Sequence, residues 1–232
     1  MSGAAVIIGA SGAIGSALET ALVEEAAHDR VWGFGRSRSG AAHLDLLDET
    51  SIAAAAAQVA AGPAPTLILI ATGLLHEGEQ MPERGFKDVN PGWMARSYAI
   101  NAIGPALVMK HFLPLMPKTG TPVLAALSAR VGSIGDNGLG GWHGYRASKA
   151  ALNMLIANAA IEARRSSPRS IVVGLHPGTV DSALSKPFQT NLAPGSLFAP
   201  DRAALQLLDV IETLKPKDSG KLFAWDGAEI PF

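Results

Sequence analysis

Short, almost wholly apolar runs alternate with longer alanine- and leucine-rich segments along the chain. Residues 4–8 (Ala-Ala-Val-Ile-Ile), 67–70 (Leu-Ile-Leu-Ile) and 171–175 (Ile-Val-Val-Gly-Leu) hold no polar side chain. A strand with one face in water would alternate, whereas a continuous apolar run marks a strand covered on both faces. Strands are therefore predicted at 4–8, 30–35, 42–44, 66–71, 122–127, 170–175 and 222–225. Helices are predicted between them at 13–27, 51–60, 91–115, 143–166 and 201–214, with Asp48 and the Asn90-Pro91 pair as start signals. Strand and helix in alternation is what a parallel sheet with crossover helices requires, so the fold class is α/β. Two stretches, 76–90 and 181–200, are irregular and rich in Pro, Gly and polar residues, and loops that long carry function or mobility.

The length of 232 residues suits one sizeable α/β domain, which predicts a single domain over 1–232. Hydrophobic residues make up 48% and charged residues 17%, enough apolar material for a core and too little charge for a disordered chain. A formal net charge of −1 gives no steering toward nucleic acid or an anionic membrane, so the expected partner is a small molecule. The absence of cysteine excludes a disulfide framework, a thiolate nucleophile and any Cys-based metal site. The N-terminus lacks a basic region, and no stretch approaches the ~18–20 apolar residues of a membrane span, so a cytoplasmic protein is expected. The six histidines show no His-x-x-x-His spacing, and no metal is expected.

Directly after the first strand stands Gly9-Ala10-Ser11-Gly12-Ala13-Ile14-Gly15, leading into an Ala/Leu-rich helix. Glycines in such a turn let the backbone approach a pyrophosphate, and the helix N-terminus offers it unpaired N–H groups. The second strand ends in Gly33-Phe34-Gly35-Arg36-Ser37-Arg38, with no acidic residue until Asp45. An acid there would take the ribose hydroxyls of NAD, whereas arginine accommodates the 2′-phosphate of NADP, so NADP(H) is the expected cofactor.

The chemical signal is Tyr145-Arg146-Ala147-Ser148-Lys149, whose i, i+4 spacing puts phenol and ammonium on one helical face. A neighbouring ammonium favours the phenolate, which predicts a lowered tyrosine pKa and a usable proton. Ser128, at the end of the preceding strand, is placed to hydrogen-bond a substrate oxygen beside the tyrosine. A hydrolase of the Ser/His/Asp type is excluded for want of a Gly-x-Ser-x-Gly elbow.

Taken together, Gly9 to Gly15, Asp45, Ser128, Tyr145-x-x-x-Lys149 and Pro177-Gly178 resemble the short-chain dehydrogenase/reductase family, in family order from residue 4 to about 225. The resemblance implies a single Rossmann-type, doubly wound domain with a seven-stranded parallel sheet and helices on both faces. It implies reversible hydride transfer between nicotinamide and a carbonyl or alcohol carbon, with Tyr145 exchanging the proton and Lys149 holding the nicotinamide ribose. Asn101 matches the family asparagine that anchors a relay water to the lysine. Asp45 and Leu46 match the adenine contact, Ala71, Thr72 and Gly73 the adenosine side, and Pro177, Gly178, Thr179, Val180 and Ser182 the carboxamide side. A homodimer or homotetramer is implied as well.

Segments 128–133, 140–143 and 223–227 look most like the C-factor-like branch, some of whose members are discussed as signalling proteins. A dinucleotide-binding sensor with little turnover is therefore the alternative function. The chain departs from the family pattern at Gly12-Ala13, at Ile8 and at Ile70-Ala71-Thr72-Gly73. A longer gap between Ser128 and Tyr145 predicts an extra loop over 136–141.

Overall fold

The computed structural model describes residues 3–190 and 192–232, so Met1, Ser2 and, from the irregular stretch 181–200, Asn191 lie outside the described residues. The elements run β1 (Ala4–Ile8), α1 (Ala13–Glu25), β2 (Arg30–Phe34), α2 (Glu49–Ala60), β3 (Pro65–Ile70), α3 (Pro91–Tyr98) and α4 (Gly104–Phe112). They continue with β4 (Val123–Leu127), α5 (His143–Ser166), β5 (Ile171–His176), β6 (Thr179–Val180), β7 (Leu197–Phe198), α6 (Pro200–Thr213), β8 (Leu222–Ala224) and β9 (Glu229–Ile230). Seven strands form the main sheet in the order β2-β1-β3-β4-β5-β8-β9. All neighbours pair in parallel except β8 and β9, which are antiparallel.

Alternate residues of each strand feed two cores, as the two-residue strand period requires. From β1, Val6 and Ile8 pack with α2, α4 and α5, while Ala5 and Ile7 pack with α1 and α6. The sheet is therefore covered on both faces, in a Rossmann-like arrangement. Phe112, fully buried in the first core, is the kind of residue whose truncation to alanine costs ~3–5 kcal/mol.

Three details differ from the sequence expectations. Residues 42–44 are not a strand: Gly40–Ala42 forms a 3₁₀ turn, and the contact with β2 shrinks to one bridge between Gly35 and His43. The seventh strand is instead β9, two residues long, beyond the last predicted strand. The long helix predicted over 91–115 is interrupted by a π-helical turn, Ala99–Ile103, with Asn101 at its centre. Packing explains the break, because Asn101 turns inward to other backbone groups and Gly104 lies against Leu46, where an added Cβ would stand 2.7 Å from the leucine Cβ. Such π-bulges are frequent at functional sites. The helix-start signals stand as read: Asp48 accepts from Thr50 N at 2.9 Å and Asn90 from Trp93 N at 2.9 Å.

Neighbours of β1 lie to either side of it, β2 on one flank and β3 on the other, so the chain reverses its winding direction there. A crevice opens outside the strand ends at such a switch point. Gly9 follows β1 and Ala71 follows β3, and the two loops are tied by Ala71 N donating to Ile8 O at 2.7 Å. Among the described residues no helix is long and apolar enough to cross a membrane.

Candidate active site

The turn after β1 is built by close backbone approach. Gly9 takes φ +96°, in the left-handed region that favours glycine, and an added Cβ would lie 2.6 Å from Ala71 O. Gly15 packs directly on the Gly9 carbonyl, so it seats α1 on the turn rather than facing the crevice. No side chain caps the first turn of α1, and Gly12, Ala13 and Ile14 line the crevice, which leaves helix-start N–H groups for an anion.

Three adjoining cavities share lining residues. The first holds Gly9, Ser11, Gly12, Arg36, Ser37, Asp45 and Leu46 together with Ala71, Thr72 and Gly73. The second, about 480 Å³, runs from Gly12, Ile14 and Thr72 to Ser128, Tyr145, Lys149, Pro177 and Ser182. The third passes Tyr145 and Ser128 to Gly178, Val180 and an apolar wall of Leu75, Trp142, Leu184 and Phe188. Each residue predicted for the cofactor therefore lines one of these cavities, apart from Gly15. Thr72 Oγ1 is buried there without a hydrogen-bond partner, the kind of orphan group a polar ligand satisfies.

The two arginines after β2 separate. Arg36 is exposed and lines the first two cavities. Arg38 turns back to α1, where it pairs with both carboxylate oxygens of Glu19 and donates to Ala10 O at 3.2 Å. Only Arg36, with Ser37, stands as sequence reasoning placed it.

Tyr145 and Lys149 lie one turn apart on α5, 8% and 2% exposed, with the ammonium nitrogen 5.9 Å from the phenol ring centroid. Lys149 Nζ donates to Leu127 O at 2.8 Å, which ties α5 to the end of β4. Burial pushes the Tyr145 phenol up to about 12 and the Lys149 ammonium down to about 7. Desolvation sets both directions, so the Tyr145 pKa is raised where spacing alone led to the expectation of a lowered one.

Asn101 is wholly buried and is not among the residues lining the three cavities. Its Oδ1 accepts from Leu74 N at 2.7 Å, and its Nδ2 donates to Leu74 O at 2.8 Å and to Ser148 Oγ at 3.0 Å. Beside Gly73, a point one bond from the Cα would lie 3.7 Å from Lys149 Nζ and 3.9 Å from Asn101 Oδ1, so the two side chains do converge. Ser128 donates its proton to Asn153 Oδ1 at 2.6 Å.

Several site residues escaped sequence reasoning. Asn153 carries a detectable signal, since it follows Lys149 by four and Tyr145 by eight and so shares their face. Trp142 carries none, because it meets Phe188, 4.9 Å away, from a distant part of the chain. His176 lines the third cavity, and burial together with the nearby Arg130 charge pushes its pKa down to about 4. His143 instead stacks on Phe86 at 4.2 Å. Residues 136–141 form an irregular loop, exposed except for half-buried Gly141, with Asp136 paired to Arg130 at 3.1 Å, and none of them lines the three cavities.

Known proteins place this arrangement. The family model described as short chain dehydrogenase matches residues 3–193. The chain belongs to the short-chain dehydrogenase family. This short-chain dehydrogenase is 37% identical over 146 residues to C-signal of Myxococcus xanthus, covering 62% of the chain and 82% of that protein. It is 31% identical over 193 residues to short-chain dehydrogenase srdF of Neurospora crassa, covering 80% of the chain and 74% of the relative. A match to 1-hydroxy-2-glutathionyl-2-methyl-3-butene dehydrogenase of Rhodococcus, 37% identical over 134 residues, covers 57% of the chain but 55% of that protein's length. The NADPH-bound carbonyl reductase from chicken fatty liver superposes with a TM-score of 0.83 at 24% identity, covering 100% of the chain and 94% of that structure. An NADP-bound short-chain dehydrogenase/reductase from Burkholderia multivorans gives 0.78 at 21% identity, with full coverage of both chains. At those identities the superpositions establish the Rossmann-like fold of the short-chain dehydrogenase.

Proposed function

We propose that the chain is one NADP(H)-binding domain that reduces a small-molecule carbonyl, with Tyr145 as the proton donor. One observation carries this proposal: a buried phenol held in its protonated form stands at the wall common to two cavities, with a buried lysine one helical turn away. A general acid must hold its proton at working pH and release it to developing negative charge, and a phenol at about 12 does the first without help. Reduction draws on the protonated phenol and alcohol oxidation on the phenolate, so the same oxygen serves the reaction in either direction.

When bound, the nicotinamide supplies the hydride, and the remaining work falls to side chains of this chain. Tyr145 gives its proton to the substrate oxygen. Lys149, bonded to Leu127 O, holds α5 against β4 and offers its remaining donors to the ribose. Asn101 fixes the Leu74 backbone beside the crevice and, through Ser148, the first turn of α5, because Ser148 Oγ donates to Tyr145 O at 2.8 Å. The free N–H groups of α1 suit the pyrophosphate, and Arg36 with Ser37 suits a 2′-phosphate. The NADPH-bound carbonyl reductase supports both choices by analogy, and the NADP-bound short-chain dehydrogenase/reductase supports the cofactor.

NADPH oxidation assayed against a panel of aldehydes, ketones and quinones tests the proposal. Turnover of at least one carbonyl with NADPH preferred over NADH supports it, and no turnover across the panel contradicts it. The likeness to C-signal favours a second reading, a dinucleotide-binding signalling protein. That alternative predicts cofactor binding without turnover. Association into a homodimer or homotetramer is supported by Ile103, Met154 and Ile161, which stand 54%, 62% and 56% exposed on the π-helical turn and α5. Light scattering in solution reads that state directly.

A further inference from the structure

Glu83 is a charged side chain in the irregular stretch 76–90, yet it is only 2% exposed. It is buried against the start of α5. Its Oε2 accepts from Gly144 N at 3.1 Å, and its own carbonyl accepts from Trp142 N at 2.6 Å. The two contacts clasp the backbone on either side of His143, immediately before Tyr145.

That place in the fold needs such a clasp. Trp142 is the N-cap of α5, but it provides no capping side chain and sits at φ 49°, ψ 44°, a left-handed conformation that costs a non-glycine residue energy. A helix start without a cap leaves N–H groups unpaired, and Glu83 reaches across from another segment to take one of them. Gly144 is what permits the approach, because an added Cβ would lie 2.9 Å from Glu83 Oε1. The consequence reaches the reaction site, since the Trp142 ring stands 6.3 Å from Tyr145 and 4.9 Å from Phe188 in the wall of the third cavity.

Among the described residues nothing else pairs with the carboxylate. Its Oε1 is buried without a partner, as is Ser97 Oγ, which faces the same point above Gly144 at 3.6 Å. A carboxylate kept dry with one oxygen unsatisfied is costly for stability alone, which points to a role in holding geometry.

We propose that Glu83 is a positioning residue for carbonyl reduction: with one oxygen on Gly144 N and its carbonyl on Trp142 N, it fixes the indole that walls the substrate cavity and the helical turn that presents Tyr145. The proposal rests on the reading of Tyr145 as proton donor. Glu83 itself touches neither substrate nor cofactor.

The test compares Glu83→Ala and Glu83→Gln with the parent chain in three readouts: NADPH affinity, and KM and kcat for an aromatic ketone or aldehyde that the parent turns over. Glu83→Ala is expected to lower kcat and raise KM for the aromatic carbonyl by about tenfold each, since small misplacements of reacting groups have effects of that order. NADPH affinity should stay within about twofold, because Glu83 lies away from the cofactor side. Glu83→Gln should restore both constants to within about threefold, since its amide oxygen still accepts from Gly144 N and its amide nitrogen can donate to Ser97 Oγ. Parent-like constants in Glu83→Ala, or a Glu83→Gln as impaired as Glu83→Ala, overturn the proposal. If Glu83→Ala fails to fold, Glu83→Met fills the volume without an acceptor and gives the same comparison. A parent chain that reduces no carbonyl overturns both this proposal and the function it rests on, whereas an active parent with an indifferent Glu83→Ala overturns this one alone.

Discussion

Ser128 Oγ gives its proton to Asn153 Oδ1 across 2.6 Å, and the two side chains are 4% and 2% exposed. The asparagine is held in that orientation by its Nδ2, which donates to Gly132 O at 3.3 Å. A hydroxyl has one proton, so Ser128 presents lone pairs to the cavity and is set to accept from the hydroxyl of an alcohol product. Sequence alone had suggested a hydrogen bond to the substrate oxygen; the buried asparagine decides which way that bond points.

Asn153→Leu keeps the volume but removes the acceptor and leaves Gly132 O unpaired. Stability should fall by ~1–3 kcal/mol, the usual cost of an unsatisfied buried group, and kcat/KM for carbonyl reduction by about tenfold as Ser128 loses its fixed orientation. Denaturant unfolding and steady-state kinetics read the two effects. An unchanged kcat/KM would mean that the orientation of Ser128 does not matter to the reaction.

The two arginines after β2 should differ in their effect on cofactor choice. Arg36 is free to meet a 2′-phosphate, while Arg38 is held by Glu19. Arg36→Ala should weaken NADPH binding by about tenfold with little effect on NADH, as expected for loss of a charge-assisted contact. Arg38→Ala should weaken both alike, through a loosened turn. Titration of each variant with both cofactors checks this, and an Arg38→Ala selective against NADPH would reverse the assignment.

Burial of Lys149 makes a stability prediction whose sign is fixed. Its pKa falls from 10.5 to about 7 in the folded chain. Below about 7 the lysine is charged in both states, and the native state carries the full desolvation cost. Between about 7 and 10.5 the unfolded chain keeps a proton that the native chain has released, so stability rises with pH through that window. Tyr145 works the other way above 10, because its phenol ionises near 10 when unfolded and near about 12 when folded. Urea midpoints at about pH 6.5 and 9.5 should therefore rise more for the parent than for Lys149→Met, which has no charge to bury. Parallel changes in the two proteins would contradict the burial of the ammonium.

Legibility in the sequence followed the range of the forces involved. The continuous apolar runs of β1, β3 and β5 announced buried strands because both faces of each strand feed a core. The Asp48 and Asn90 caps were visible because a cap is a local hydrogen bond. Residues 42–44 looked like a strand and are not, since pairing depends on the partner and only the Gly35–His43 bridge forms. The break at Asn101 had one local signal, Gly104-Pro105, since Pro105 has no N–H to give four residues back, while the ties of Asn101 to Leu74 and Ser148 lie across the fold. Tyr145 and Lys149 declared themselves by spacing, but their pKa directions did not, because burial of α5 against β4 and β5 is a tertiary property. Glu83 was indistinguishable from any loop glutamate until the start of α5 was seen to lean on it.

Proton donation by Tyr145 is tested most directly by Tyr145→Phe, which removes one oxygen and leaves the ring packing intact. The measurement is carbonyl turnover with NADPH alongside NADPH affinity in the same variant. The expected result is a kcat lowered by about 10²–10⁴-fold, the usual worth of a positioned general acid, with NADPH affinity within about threefold of the parent. A variant that still turns over carbonyl at the parent rate would show that the proton comes from elsewhere.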